Sequence, residues 1–214
     1  MNIRSTKAFA VTALACLIAV TAAGPASATG GSTSVASSTT SSTTIPACAA
    51  RVANPTSAEG SKALAKCKMT TTLELSQPAP VTAAQVKADS TLSATDKADL
   101  LNAVAAAAVT GKHYSQFTTG GEYTTTQNGT FYYNGSKVWV GTTYLGKTGS
   151  HQCFLNYIVG ATYSANQCTE SGATTYRNMY SSWTISISAI QYGYSMTAKL
   201  NANGTGSGFG VTTG

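Results

Sequence analysis

Beyond Gly111 apolar and polar residues alternate with a period of two, and the only sustained helical period lies just before it. The strongest local signal is Glu122 to Leu145, where two Asn-Gly pairs sit among Thr, Tyr, Phe, Val and Trp. Asn-Gly between alternating β-formers predicts a hairpin, because both central residues of a type I′ turn need positive φ. A two-residue turn at Asn134-Gly135 sets Tyr132 opposite Lys137, Phe131 opposite Val138 and Thr130 opposite Trp139. One side of the hairpin then carries Phe131, Val138, Val140 and Tyr144; the other carries Tyr132, Lys137 and Trp139. The sequons at Asn128, Asn134 and Asn203 all contain Asn-Gly and read as turns.

Four further turns are predicted at Gly146 to Gly149, around Gly160, at Ser171-Gly172 and near Gln191 to Gly193. Met179, Trp183, Ile185 and Ile187 alternate with Tyr180, Ser182, Thr184 and Ser186, and Tyr192, Tyr194, Met196, Ala198 and Leu200 share a face. Both patterns predict half-buried antiparallel strands, whereas Cys153 to Val159, apolar on both faces, predicts a central strand. Phe209 and Val211 in the Gly-rich tail are expected to add an edge strand or to fray.

Before Gly111, Thr82 and Ser93 each precede an acceptor by three residues, at Gln85 and Asp96, in the manner of a capping box. Leu100, Leu101, Val104, Ala105 and Ala108 recur at helical spacing, which predicts a helix over about 94–109. Ala58 to Lys66 reads as a short helix after Asn54-Pro55, and Met69 to Leu75 as one short strand. Thr29 to Thr44 is Gly, Ser, Thr and Ala with one Val; it holds nothing large enough to offset the entropy of ordering and is expected to be a disordered tether.

At the N-terminus, Arg4 and Lys7, the apolar run Ala8 to Ala23 and Ala26-Ser27-Ala28 predict a secretory signal peptide cut after Ala28. Cys16 lies inside the apolar run rather than at its end, which argues against a lipid anchor. Losing Arg4 and Lys7 leaves eleven basic against seven acidic side chains, a net charge of +4. So mild a charge, without a dense Lys/Arg cluster, favours weak attraction to anionic envelope polymers over nucleic acid. Cys48, Cys67, Cys153 and Cys168 enter an oxidising space and read as two disulfides. Of three connectivities, 48–67 closes a local loop, and 153–168 follows from the symmetry of those residues about Gly160-Ala161, as opposed partners in one hairpin.

The chemistry-bearing residues are sparse. His113 and His151 are the only histidines, and disulfide sulfur does not bind metal, so no metal site and no cofactor are expected. A small hydrolase acting on wall or matrix polysaccharide would have to use Glu122, Glu170 and His151, which the sequence does not bring together. No nucleophile elbow or phosphate loop is present.

What remains is aromatic: Tyr132, Trp139, Tyr176 and Tyr180 alternate out of a first core, with Lys137 beside Trp139. Flat rings among small polar groups suit carbohydrate or peptide binding, unless a second sheet or the 94–109 helix covers them. The expected fold is mainly β, an antiparallel β-sandwich or small barrel with a short N-terminal helical cap. The expected organisation is a signal peptide over 1–28, a disordered Ser/Thr tether over 29–44, a disulfide-bonded helical cap with one strand over 45–111, and a β domain over 112–214. The expected role is that of a secreted or envelope-associated, non-catalytic binding module. Its site is Trp139, Tyr132 and Lys137, and its partner a cell-wall or extracellular polysaccharide or a secreted protein. No membrane span is expected in the mature chain. A secreted hydrolase and a secreted antimicrobial or inhibitor-type protein are the alternatives.

Overall fold

The period of two is realised as antiparallel strands throughout a computed structural model that describes residues 34–120, 123–141, 143–144, 147–148, 152–187 and 190–213. In chain order the elements are β1 (Val35–Thr44), α1 (Pro46–Ala49), α2 (Ala58–Lys66), β2 (Lys68–Ser76), β3 (Ala79–Pro80), α3 (Ala83–Ala88) and α4 (Ala94–Ala106). They continue with β4 (Thr110–Thr119), β5 (Tyr123–Tyr133), β6 (Val138–Val140), β7 (Thr143–Tyr144), β8 (Lys147–Thr148) and β9 (Gln152–Ile158). The last four are β10 (Thr162–Ala173), β11 (Tyr176–Ile187), β12 (Ile190–Asn201) and β13 (Gly206–Thr213).

A seven-stranded sheet runs β1-β2-β4-β5-β6, with β3 added on β4 and β9 on β5; a four-stranded sheet runs β10-β11-β12-β13. The sheets stack as a sandwich, and each is drawn from one continuous stretch of the sequence, the larger from residues 35–158 and the smaller from 162–213.

Inward residues form two apolar clusters with a polar belt between them. Leu73, Leu75, Tyr114, Phe131, Met179 and Leu200 make one cluster; Met69, Tyr123, Trp183, Ile185, Tyr194 and Met196 make the other. The belt is made by inward polar residues on four strands, Thr71 on β2, Gln116 and Thr118 on β4, Thr125 and Gln127 on β5 and Ser181 on β11, whereas on β12 the apolar Met196 and Ala198 follow each other directly. Buried polar groups ordinarily find partners, and in the belt only Thr125 Oγ1 has none. The Gln127 amide nitrogen donates to Gln116 Oε1 (2.5 Å) and to the Met179 carbonyl (3.0 Å), and Ser181 Oγ donates to Gln127 Oε1 (2.7 Å). Tyr194 OH lies 2.8 Å from Thr71 Oγ1. Over this belt passes β13, whose Gly208 leaves room that a Cβ would lack: it would stand 2.7 Å from Leu73 Cβ and 2.8 Å from Gln116 Nε2.

The expected elements appear in large part, with corrections that share a cause. The stretch expected to be a tether forms β1 from Val35, paired with β2 from Val35↔Ser76 to Thr44↔Lys68. Its Ser and Thr residues bury little, but an edge strand needs only the ladder and β-branched side chains. Met69 to Leu75 is not a lone strand in a cap: β2 lies between β1 and β4 inside the large sheet.

Asn134-Gly135 turns the chain, but the pairs are Phe131↔Val140, Tyr132↔Trp139 and Tyr133↔Val138, so the loop has four residues rather than two. Asn134 Oδ1 accepts from the Ser136 and Lys137 amides (3.1 and 2.9 Å), and Gly135 takes φ +90°. A slip of two residues keeps Phe131, Tyr132, Val138, Trp139 and Val140 on their expected faces. Asn128-Gly129 is no turn; it lies inside β5, with Gly129 opposite Tyr114. Ser171-Gly172 and Gln191 to Gly193 likewise fall within β10 and β12, and in the Gly146 to Gly149 region β7 pairs β8.

Both disulfides have the expected partners, Cys48–Cys67 and Cys153–Cys168. The geometry of the second differs, because β9 pairs with β5 and β10 with β11. The bridge therefore joins the two sheets instead of lying across one hairpin, with Cα atoms 6.1 Å apart. Nor is β9 central: among the described residues its one ladder is to β5. A register shift at Asn156 brings Leu155 and Ile158, which strict alternation assigns to opposite faces, both against the Trp183 cluster.

Candidate functional site

Trp139, Tyr132 and Lys137 come together as the sequence places them, on the outer face of the large sheet, but that end of the face is roofed by helices. Trp139 is 2% and Tyr132 8% exposed, packed with Val86, Leu92, Leu100 and Val109 from the α3–α4 segment. These rings are therefore the attachment surface of the cap, and the expected open platform does not exist there.

Polar groups fix the attachment. The Trp139 indole donates to Asp99 Oδ2 (2.6 Å), Lys137 Nζ also donates to Asp99, and Tyr132 OH donates to Asp89 Oδ2 (2.5 Å). Hydrogen bonds from Lys137 and Trp139 hold the Asp99 carboxyl below the usual carboxylate range. Burial pushes Asp89 up, but bonds from Thr91 and Tyr132 outweigh it and its net shift is downward. Burial, reinforced by Asp89, pushes the Tyr132 hydroxyl well above its ordinary value.

The residues of the hydrolase alternative are not assembled by the described structure. Glu170, opposite Met179, faces inward at the sandwich rim and lies 3.6 Å from Arg177 Nε. Glu122 and His151 lie outside the described residues. His113 is exposed, its Nδ1 3.0 Å from the Gly129 carbonyl. Among the described residues no three His, Cys, Asp or Glu side chains cluster as a metal would require.

An open aromatic face exists on the other sheet. On β11 and β12 the inward set is Met179, Ser181, Trp183 and Ile185, with Tyr194, Met196 and Ala198 opposite, so the remaining residues point away from the core. Register then builds rows across three strands: Asn178↔Lys199↔Ser207, Tyr180↔Thr197↔Phe209 and Ser182↔Ser195↔Val211. Phe209 and Val211 are 48% and 45% exposed, and Tyr176, Tyr180 and Thr197 are half-buried. Exposed Lys199 holds its ammonium 4.8 Å from the centre of the Tyr176 ring.

Tyr180 and Phe209 are two strands apart, about 10 Å. Between them lies only Thr197, too short to stand above rings. The result is a strip with an aromatic side chain at each end of a row, hydroxyls between and beside them, and one ammonium on the flank. Such a surface stacks on apolar faces of a ligand and orients it by small polar groups.

Tyr176 and Tyr180 are legible in the sequence as outward rings, whereas Phe209 and Val211 read there only as an edge strand or a fraying tail and Lys199 carries no expectation. The available signal is Gly206, Gly208 and Gly210 alternating with Ser207, Phe209 and Val211: a strand with glycine at three successive positions of one face presents its large side chains on the other. Set against family models, curated proteins and solved structures, the chain shows no match, so its own residues carry the functional reading.

Proposed function

We propose that this chain is a secreted, non-catalytic module that binds an extended polysaccharide on the outer face of its four-stranded sheet. The observation that carries the reading is the row Tyr180–Thr197–Phe209, flanked by Tyr176, on a face that the helical cap does not occupy. Rings two strands apart suit alternate sugar units of a linear chain lying across the strands, and the hydroxyls between them suit the unit in the middle. Two disulfides and extensive aromatic clusters fit an extracellular β-sheet protein, and no helix among the described residues is long and apolar enough to cross a membrane.

Affinity electrophoresis through gels containing one linear polysaccharide at a time tests this. Retardation by at least one polymer is expected, with a loss of about 1–2 kcal/mol of affinity in Tyr180→Ala and in Phe209→Ala at an unchanged melting temperature. Unretarded migration in every gel, or full retention by the double variant, overturns the reading. Self-association of the unliganded chain that vanishes in Phe209→Ala overturns it too, because the strip would then serve a second copy.

A further inference from the structure

The charge on this face is one-sided. None of the six described carboxylates lies on it: Asp89, Asp96 and Asp99 belong to the cap, Glu59 to α2, Glu74 to the outer face of the large sheet, and Glu170 faces inward against Arg177. Lys199 stands exposed one row from the Tyr180–Thr197–Phe209 strip. Its ammonium lies over the Tyr176 ring, so the cation is held beside the strip without a carboxylate partner on that face.

We propose that the strip is selective for an acidic polysaccharide, one whose sugar rings carry carboxylates, with Lys199 as the residue that reads the acid. The inference rests on the polysaccharide-binding reading above. The two halves of the ligand are demanded by different residues. Tyr180 and Phe209 need flat, ring-shaped units with apolar faces, which a poly(glycerol phosphate) chain does not offer. Lys199 needs an anion close to such a ring, which a neutral glucan does not offer. A uronic acid polymer supplies both at every unit. A lysine ammonium is a compact point charge without the fork geometry of arginine, so it suits a carboxylate whose orientation varies along a polymer.

The test is calorimetric titration of the disulfide-bonded chain with polygalacturonate, with the same polymer fully methyl-esterified, and with poly(glycerol phosphate). Polygalacturonate is expected to bind about fivefold more tightly than its ester at low salt, near the upper end of what one exposed ion pair gives. That margin is expected to collapse near 1 M salt, where the Debye length is about 3 Å. Lys199→Gln is expected to bring acid and ester to equal affinity, and Lys199→Arg to keep most of the difference, each with an unchanged melting temperature.

Equal binding of acid and ester by the wild type, still dependent on Tyr180 and Phe209, overturns the acid selectivity and leaves the module reading standing. Preference for poly(glycerol phosphate) overturns it as well and makes phosphate the anion. Absence of binding to any of the three, together with unretarded migration in the polysaccharide gels, removes the module reading itself.

Discussion

Trp139 shows how one side chain can be read correctly for direction and wrongly for environment. Alternation along β6 places it opposite Val138 and Val140, and there it is; what alternation does not contain is the helix that lands on it. Truncation to alanine therefore removes a buried ring and leaves Asp99 short of a donor. We expect Trp139→Ala to cost about 3–5 kcal/mol in denaturant unfolding, where an exposed ring would cost almost nothing. An unfolding midpoint equal to wild type would return Trp139 to the surface and refute the packing described for the cap. Gln116 and Gln127 are side chains whose environment alternation does not convey at all. Glutamine in an alternating strand reads as a solvent position, because its amide is seldom buried without partners. Here each completes the other's hydrogen bonds across neighbouring strands, a pairing visible only once register is known.

The helical elements were legible where their ends carry chemistry. Thr82 and Gln85 form the expected reciprocal cap, Ser93 accepts from the Asp96 amide, and α4 spans Ala94–Ala106 within the predicted 94–109. β1 was not legible, since its strand character comes from β2 beside it and not from its own burial.

The docking of α3 and α4 turns on two carboxylates, which gives the cap an acid limit. Asp89 and Asp99 both have depressed pKa values in the folded chain. Their contribution is thus fully present above the ordinary carboxylate value of about 4 and is lost as pH falls through the lower folded values. Asp99 is exposed enough for solvent to screen it, so the effect is local loosening rather than global unfolding. Trp139 fluorescence should stay constant from neutral pH to about pH 5 and change below about pH 4, with a smaller change in Asp99→Asn. An acid response of unaltered size in Asp99→Asn, or none down to about pH 2, would show that these carboxylates do not secure the cap.

At the scale of the whole molecule, the sandwich could be anticipated from strand count and alternation, but the partition of strands between sheets could not. Symmetry of Cys153 and Cys168 about Gly160-Ala161 suggests a hairpin, and the same symmetry serves equally well for a chain that crosses from one sheet to the other at those residues. The bridge there staples the two layers. Replacing both cysteines by alanine should lower stability by roughly 2–4 kcal/mol, while peptide mapping of the unreduced wild type should link 153 to 168 and 48 to 67. Any link between the two pairs would reject the layered arrangement.

The division of the sheets into an earlier and a later stretch of sequence also sets an order of events. Synthesis runs from the N-terminus, so the strands up to β9 exist before β10 to β13 do, and neighbours in each sheet are near neighbours in the chain. The first layer therefore waits for its lid with its inner surface wet. Thr71, Gln116, Thr118, Thr125 and Gln127 cross the middle of that surface and break what would otherwise be one continuous greasy strip into two smaller ones. The belt that later becomes a hydrogen-bonded seam is, during that wait, what keeps half a protein from sticking to its neighbours.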